Sequence, residues 1–354
     1  MTDLLDLTAS LVDIPSVSRH ERHITDHLET LLREVPWLEV TRWGDNLVAR
    51  TFLGRPQRLI LAGHTDTVPP NGNEVARLEG DVLWGLGAAD MKSGVAVLLE
   101  LARTVTEPTV DATFIFYACE EVDYRENGLE RLFVERPELL AGDAAVLAEP
   151  TGAEVEAGCQ GTMRVDVTLT GRRAHSARAW LGRNAIHGLA GMLTRLAAYE
   201  GRRPVLDGCQ FHEGLQAVLV NGGVATNVVP DRAVVTLNQR FAPDRTPAEA
   251  EAHVREVVGP VDGFEVVDVA PPAAPSLGHP LLERLLTATG VAPRAKLGWT
   301  DVGRFSARGV PATNFGPGDP NVAHAADERV TRSDVDTVYR VLRQVLEHGA
   351  VALG

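Results

Sequence analysis

LILAGHTD (59–66) is the stretch that decides the fold, because a compact apolar run passes directly into His64 and Asp66. An unbroken apolar run of this length is typical of a strand buried on both faces. ATFIFYAC (112–119) and AAVLA (144–148) repeat the pattern, and each is followed at once by carboxylates. We therefore expect three buried strands, each delivering metal-binding types of side chain at its carboxyl end.

Helical segments lie between these runs. MKSGVAVLLELARTV (91–105) has helical periodicity, and a second helical segment surrounds 127–132. Strands that alternate with helices predict an α/β fold with a mostly parallel central sheet. In such a sheet the functional crevice lies outside the carboxyl ends of the strands. The fold should therefore gather the residues that follow the runs at one edge of the sheet: His64, Glu120, Glu121 and Glu149.

Two further residues complete a set of metal-ligand types. Asp90, in GAADMKSG, precedes the first helical segment, and His324 lies in NVAHAADE. Two imidazoles and three carboxylates can hold two divalent ions if one carboxylate bridges them, and this mixture suits zinc, with cobalt or manganese as substitutes. Paired ions about 3.5–4 Å apart can activate water and polarise a carbonyl together. The set therefore predicts a two-metal hydrolase with these ligands: His64, Asp90, Glu121, Glu149 and His324.

Glu120 and Glu121 are adjacent and need separate roles. Neighbouring residues on a regular strand point to opposite faces, so both can reach one centre only if the strand has already ended. We expect Glu121 to bind metal and Glu120 to move protons, as general base and then general acid. Asp66 is well spaced to hold the second ring nitrogen of His64, which would fix the imidazole tautomer.

Each of these residues also has an ordinary interpretation. A His-x-Asp after a strand is often a hydrogen-bonded pair in a loop, and paired glutamates are usually solvated. Asp90 could cap the helix that follows it, since Asp is a favoured N-cap. Glu149 could be a turn residue and His324 an exposed histidine. The joint pattern favours the metal centre over these separate interpretations.

With these motifs the chain resembles the co-catalytic zinc aminoacylase and peptidase family, from LTASLVDIPSVSRHE (7–21) to AHAADERV (323–330). The resemblance implies that His64, Asp90 and Glu149 bind one zinc ion, and that Asp90, Glu121 and His324 bind the other. It implies the acid/base role for Glu120 and the histidine-orienting role for Asp66. It also implies a cis peptide bond after the bridging aspartate, between Asp90 and Met91.

Within that family the closest likeness is to succinyl-diaminopimelate desuccinylases of actinobacterial type, carried by WGLGAADMKSG (84–94) and by residues 297–328. Many relatives have Gly-Arg-Gly where this chain has Gly-Leu-Gly at 85–87, a position that holds no expected ligand. The implied reaction is hydrolysis of N-succinyl-LL-2,6-diaminopimelate to succinate and LL-2,6-diaminopimelate. Acetylornithine deacetylation, a related deacylation or dipeptide cleavage would use the same centre. An inactive homologue that only binds metal or an amino acid is the alternative of another class.

The middle of the chain has a different organisation. Strand and helix patterns between residues 161 and 271 follow a β-α-β-β-α-β order, which predicts a ferredoxin-like module. We expect it to be inserted into a discontinuous catalytic domain of residues 1–160 and 272–354, as the lid and dimerisation domain of the family would be. The resemblance implies an oxyanion-stabilising role for His175, often supplied by the partner subunit of a homodimer. Substrate contacts are expected from four residues: Asn227, Arg240, Gly298 and Thr300.

Composition limits the partners. The chain has 354 residues and a net charge of −14, which argues against nucleic acid or an anionic membrane as partner. We therefore expect a small N-acyl amino acid as the substrate. The N-terminal segment lacks the basic region of a signal peptide, and three widely spaced cysteines do not suggest a disulfide framework. These features predict a cytoplasmic protein.

Overall fold

The computed structural model describes residues 3–348 of the chain. The chain divides into two compact units by its internal contacts. Among the described residues, unit 1 comprises 3–158, 275–294 and 300–348, and unit 2 comprises 159–274 and 295–299. Among the described residues, no helix is both long enough and apolar enough to cross a membrane.

Two sheets belong to unit 1. Their strands are β1 (Glu39–Trp43), β2 (Asn46–Arg50), β3 (Arg58–His64), β4 (Arg77–Glu79), β5 (Val82–Trp84), β6 (Asp111–Tyr117), β7 (Ala144–Leu147), β8 (Glu156–Ala157), β15 (Arg294–Ala295), β16 (Ala312–Asn314) and β17 (Arg329–Thr331). An eight-stranded sheet forms the centre of the unit, with the order β1-β2-β6-β3-β7-β16-β8-β15. The four strands β6, β3, β7 and β16 are parallel to one another, whereas β1, β2 and β8 pair antiparallel. The smaller sheet has the order β17-β5-β4.

Helices cover the eight-stranded sheet of unit 1. They are α1 (Leu4–Val12), α2 (Arg22–Arg33), α3 (Lys92–Thr104), α4 (Gly128–Glu135), α8 (Pro280–Thr289), α9 (Val302–Ser306) and α10 (Arg332–His348). Helix α3 is buried along nearly its whole length and packs against α1, α2 and α10 as well as β3 and β6, which explains why it is apolar almost all round. Helix α1 begins at a side-chain cap, because the Asp3 carboxylate accepts hydrogen bonds from Leu5 and Asp6 N–H.

Unit 2 combines β-strands and three α-helices. Its elements are β9 (Gly161–Thr170), α5 (Ala185–Gly188), α6 (Ala190–Ala197), β10 (Val205–Leu206), β11 (Cys209–Gln210), β12 (Gly214–Gly222), β13 (Arg232–Phe241), α7 (Pro247–Val258) and β14 (Gly263–Ala270). Four strands form an antiparallel sheet with the order β12-β13-β9-β14, and β10 and β11 form a separate two-stranded ribbon. The helices bury apolar residues against one face of the four-stranded sheet, where Val165, Val235, Leu237 and Val254 lie in the core.

The predicted fold class is confirmed. The three buried runs form β3, β6 and β7, and the segment after Asp90 forms α3. Strand β6 ends at Tyr117, two residues earlier than the apolar run suggested. The middle segment shows the β-α-β-β-α-β order expected of a ferredoxin-like module, although its first helical segment is divided into α5 and α6.

Candidate metal centre

Asp90 lies between two histidines. Its Oδ1 is 3.1 Å from Nε2 of His64, and its Oδ2 is 3.5 Å from Nε2 of His324. Nε2 of His324 is also 2.7 Å from Oε1 of Glu121. Each oxygen of one carboxylate therefore faces a different imidazole, which is the arrangement that a bridging metal ligand requires.

The ligand atoms of His64, Asp90 and Glu121 all lie within 4.8 Å of one another. His64 ends β3, where the chain leaves the sheet, and Asp90 precedes α3. The peptide bond between Asp90 and Met91 is cis, as the resemblance implied. The alternative of Asp90 as a helix cap is wrong, because Met91 is the N-cap residue of α3 and no side chain caps that helix.

Asp66 is completely buried and has several partners. Its Oδ1 is 3.5 Å from Nδ1 of His64, while the backbone carbonyl of Asp66 is closer to that nitrogen, at 3.1 Å. The same carboxylate accepts hydrogen bonds from the backbone N–H of Glu120 and Glu121 and from the Ser18 hydroxyl, at 2.9, 3.0 and 2.7 Å. Asp66 therefore contacts both the histidine and the turn that carries the paired glutamates.

The paired glutamates lie on a turn rather than on the strand. Strand β6 ends at Tyr117, and Cys119 has a left-handed backbone with φ 60°. This break allows Glu120 and Glu121 to face the same centre. Burial raises the pKa of Glu120 well above its usual range, against an opposing effect of His64, and the neighbouring carboxylates Glu121 and Glu149 raise it further. A carboxyl with a raised pKa can hold a proton near neutral pH.

Glu149 and His324 differ in exposure. Glu149 follows β7 and is 5% exposed, and its charge contributes to the raised pKa of Glu120. The compact group of ligand atoms comprises His64, Asp90 and Glu121 and includes neither Glu149 nor His324. The His324 side chain is 48% exposed, and the backbone of this residue is left-handed, with φ 63°. His324 therefore reaches the centre from a surface loop, through its contacts with Glu121 and Asp90.

The charges in this cluster stabilise one another. Burial opposes a charge on His64, but hydrogen bonds with Asp66 and Asp90 outweigh it and raise the pKa of that imidazole well above its usual range. Hydrogen bonds with Asp90 and Glu121 raise the pKa of His324 to about 10. Burial opposes a charge on Asp90, yet the hydrogen bonds with His324 and His64 lower its pKa. In metal-free protein the neighbouring carboxylates thus favour the protonated form of both histidines.

The residues fit the binding of divalent metal. Imidazole and carboxylate are the ligand types that zinc accepts, and one central carboxylate can serve two ions. The buried carboxylates in this cluster also need cationic partners, since an uncompensated buried charge is costly. A protonated histidine or a bound divalent ion could each supply that charge.

Sequence reasoning missed three groups that hold the site. Glu328 is 1% exposed, and its Oε1 accepts hydrogen bonds from the backbone N–H of Ala89 and Asp90. The fully buried Arg304 contacts Asp301, Glu130 and the Tyr124 carbonyl oxygen, next to the turn that bears the glutamates. Ser18 binds Asp66. No local sequence signal identifies these residues, because each acts on a segment distant along the chain.

Within unit 2, His175 and Asn227 lie on neighbouring segments. His175 pairs with Val228 as a β-bridge, and Ser176 N–H donates to the Asn227 carbonyl oxygen. The exposed His175 accepts a hydrogen bond from Ala177 N–H on Nδ1, which leaves the ring proton on Nε2. Arg240 is half-buried near the end of β13, and burial lowers the pKa of its guanidinium.

The two other predicted substrate contacts differ from each other. Gly298 belongs to unit 2 and is exposed. Thr300 belongs to unit 1 and is 3% exposed, and its hydroxyl donates to Oδ1 of Asn314. The hydroxyl of Thr300 thus already has a partner within unit 1.

Comparison with known proteins identifies relatives that match nearly the full chain. One is a protein of Mycobacterium tuberculosis provisionally named the succinyl-diaminopimelate desuccinylase DapE, which is 53% identical over 97% of this chain and 98% of its own length. The succinyl-diaminopimelate desuccinylase of Corynebacterium glutamicum is 47% identical over 97% of this chain and 96% of its own length.

Solved structures share the fold at low sequence identity. A tripeptidase from Staphylococcus aureus superposes with a TM-score of 0.80 at 20% identity, over 98% of both chains. The Bacillus subtilis YXEP protein, described as a dinuclear metal-binding peptidase, gives 0.72 at 15% identity, over 97% of this chain and 96% of that one. The model of peptidase family M20/M25/M40 matches residues 60–348. The chain therefore belongs to peptidase family M20/M25/M40 and is a hydrolase.

Proposed function

We propose that this hydrolase removes the succinyl group from N-succinyl-LL-2,6-diaminopimelate, giving succinate and LL-2,6-diaminopimelate. The observation that carries a two-metal mechanism is the position of Asp90, whose two oxygens face His64 and His324. The substrate is inferred from the names of the full-length relatives at 53% and 47% identity. The three free cysteines agree with a reducing cytoplasm as its place of action.

We infer a site for two zinc ions, with cobalt or manganese as substitutes. His64, Asp90 and Glu149 would hold one ion, and Asp90, Glu121 and His324 the other. When bound, such a pair supplies Lewis-acid polarisation of the amide carbonyl and an acidified water. Every other step belongs to the side chains of the protein.

Glu120 is the proposed proton carrier. It would take a proton from the attacking water as the water oxygen bonds to the carbonyl carbon. It would then deliver that proton to the amide nitrogen, so that the carbon–nitrogen bond breaks and the amine leaves. Its surroundings suit this role, because burial and the adjacent carboxylates raise the pKa of Glu120, which makes its carboxylate a stronger base for the proton of the water. Asp66 would keep Glu120 in place through the hydrogen bond from the Glu120 N–H.

Residues of unit 2 would bind the rest of the substrate. His175 is the proposed donor to the tetrahedral oxyanion, and the hydrogen bond on Nδ1 supports this, since it directs the ring N–H of a neutral imidazole to Nε2. Arg240 offers a planar guanidinium that suits a carboxylate. Asn227 and Gly298 of unit 2 are further proposed substrate contacts, and Thr300 is one proposed for unit 1.

We propose a homodimer formed through unit 2. Strand β12 is at one edge of its sheet, so one row of its backbone groups is available for pairing. Three consecutive apolar residues on this strand, Val218, Leu219 and Val220, are 50%, 62% and 62% exposed. A second copy that adds its own β12 would cover them and could supply its His175 to the site.

The test is amide hydrolysis by metal-stripped protein, with and without zinc, on N-succinyl-LL-2,6-diaminopimelate and N-acetylornithine in parallel. We expect zinc-dependent turnover of the succinyl compound and little of the acetyl compound. Turnover of the acetyl compound instead would keep the metal centre and overturn the substrate. Zinc binding without turnover of either compound would support a binding protein rather than an enzyme.

A further inference from the structure

Glu328 connects two segments of unit 1 that are far apart along the chain. Its buried Oε1 accepts hydrogen bonds from the backbone N–H of Ala89, at 3.0 Å, and of Asp90, at 2.9 Å. Glu328 lies four residues after His324. One carboxylate on the His324 loop therefore holds the backbone of Asp90 itself.

Other hydrogen bonds reinforce this connection. Gly85 N–H donates to the Glu328 carbonyl oxygen at 3.1 Å. Asn73 bridges the same two segments, because its carbonyl oxygen accepts from Leu86 N–H at 2.7 Å and its side-chain amide donates to the Ala325 carbonyl oxygen at 3.1 Å. We call this set of contacts between residues 85–90 and 325–328 the clasp.

The position of His324 depends on the clasp more than the position of His64 does. His64 is 1% exposed and ends a central strand, so packing fixes its position. The side chain of His324 is 48% exposed, and its backbone has φ 63°, which an ordinary residue adopts only where its surroundings enforce it. The contacts of Glu328 and Asn73 help to hold this loop, together with the pairing of Arg329 on β17 with Trp84 on β5.

We propose that Glu328 is a positioning residue, which fixes the separation between Asp90 and His324 and thereby sets the affinity for the metal ion that these two residues would share. The inference rests on the proposed metal centre. The other ion, held in part by His64 and Glu149, depends less on the clasp, because both of those residues follow strands of the central sheet.

The experiment is a zinc titration of metal-free protein in competition with a chromophoric chelator, which gives the affinity of each ion. For E328A we expect the affinity for the ion shared by Asp90 and His324 to fall about 10- to 100-fold, the range found when groups that support metal ligands are removed. E328Q keeps one acceptor oxygen for Ala89 and Asp90 and should lie between E328A and the wild type. D327N is the matched control, since the Asp327 side chain is 67% exposed and pairs with Arg329.

A second variant covers the case in which E328A does not fold. N73A leaves the buried carboxylate in place and removes the amide contact with Ala325, together with the hydrogen bond that Asn73 Oδ1 accepts from Asn71 N–H. It should also weaken binding of the ion shared by Asp90 and His324, by a smaller factor. Thermal unfolding of the metal-free variants separates a general loss of stability from a loss of metal affinity.

Two results would overturn the inference: wild-type affinity for both ions in E328A and N73A, or an equal loss for both ions. If the wild-type protein bound fewer than two ions, the proposed metal centre would fail, and the role of Glu328 would fail with it. The stoichiometry of the wild type thus tests the proposed function, and the difference between the two ions in the variants tests the clasp.

Discussion

The Asp66 carboxylate accepts a hydrogen bond from the backbone N–H of Glu120, at 2.9 Å, although the two residues are 54 positions apart. A second oxygen of the same carboxylate accepts from Glu121 N–H at 3.0 Å, and Nδ1 of His64 is 3.5 Å from Oδ1. One buried group thus sets the position of the expected proton carrier as well as that of a metal ligand. Its role is wider than orienting an imidazole.

Replacement of Asp66 should impair two functions at once. In Asp66→Ala, the N–H groups of Glu120 and Glu121 lose their acceptor, so we expect zinc affinity to fall about 10- to 100-fold. Turnover at saturating zinc should also fall, since the Glu120 carboxylate is no longer held. Zinc titration and steady-state kinetics measure the two effects. D81N, at an 80% exposed side chain, is the control. A loss confined to metal affinity would show that Asp66 does not position Glu120.

Replacement of Glu120 should affect chemistry without affecting metal. Glu120→Gln keeps the shape of the side chain but cannot carry the proton, so kcat should fall about 10²- to 10⁴-fold. Zinc stoichiometry should stay unchanged. Glu121→Gln is the matched variant, and it should lose zinc affinity because Glu121 faces His324 at 2.7 Å. Turnover at the wild-type rate in E120Q would contradict the assigned proton carrier.

Zinc affinity should rise with pH. In metal-free protein, hydrogen bonds with Asp90 and Glu121 raise the pKa of His324 to about 10, and the pKa of His64 is also raised. A metal ion binds only neutral imidazole, so binding near pH 7 must release these protons. Each released proton makes the affinity rise about tenfold per pH unit, up to the pKa. Titrations between pH 6 and pH 9 check this, and an affinity independent of pH would contradict it.

A charge on β12 should separate the subunits. Leu219→Lys places an ammonium on the 62% exposed apolar edge, which a second copy would otherwise cover. We expect a shift from dimer to monomer in analytical ultracentrifugation, with loss of turnover if His175 comes from the partner subunit. Val267→Lys is the matched control, because Val267 is 50% exposed on β14, the opposite edge strand of the same sheet. A dimer that persists in L219K would place the interface elsewhere.

Arg304 should be important for stability. It is fully buried, and its guanidinium contacts Asp301, Glu130 and the ring of Tyr124. Arg304→Ala would leave the buried Asp301 without its cationic partner, so we expect a loss of about 3–5 kcal/mol in the free energy of unfolding. Urea denaturation measures this. Arg308→Ala, at a 31% exposed side chain that also contacts Glu130, should lose much less.

The sequence predicted the candidate site best where the site residues come directly after a strand. Apolar runs predicted β3, β6 and β7, and the parallel order of these strands explains why His64 and the glutamate pair lie close to Asp90. The Asp90–Met91 cis bond was expected from the resemblance alone. The end of β6 was placed too late, because Ala118 and Cys119 are apolar by type although the chain has already turned.

The sequence by itself determined the fold class, the order of the elements and the chemistry of the expected ligands. These depend on local patterns: apolar runs of strand length, helical periodicity and carboxylates or imidazoles at fixed positions. Only the tertiary structure decided that Asp66 supports Glu120, that Glu328 holds Asp90 and that Arg304 lies beside the glutamate turn. The physical reason is that a hydrogen bond to a backbone N–H depends on where that backbone lies, and not on the side chain that it carries.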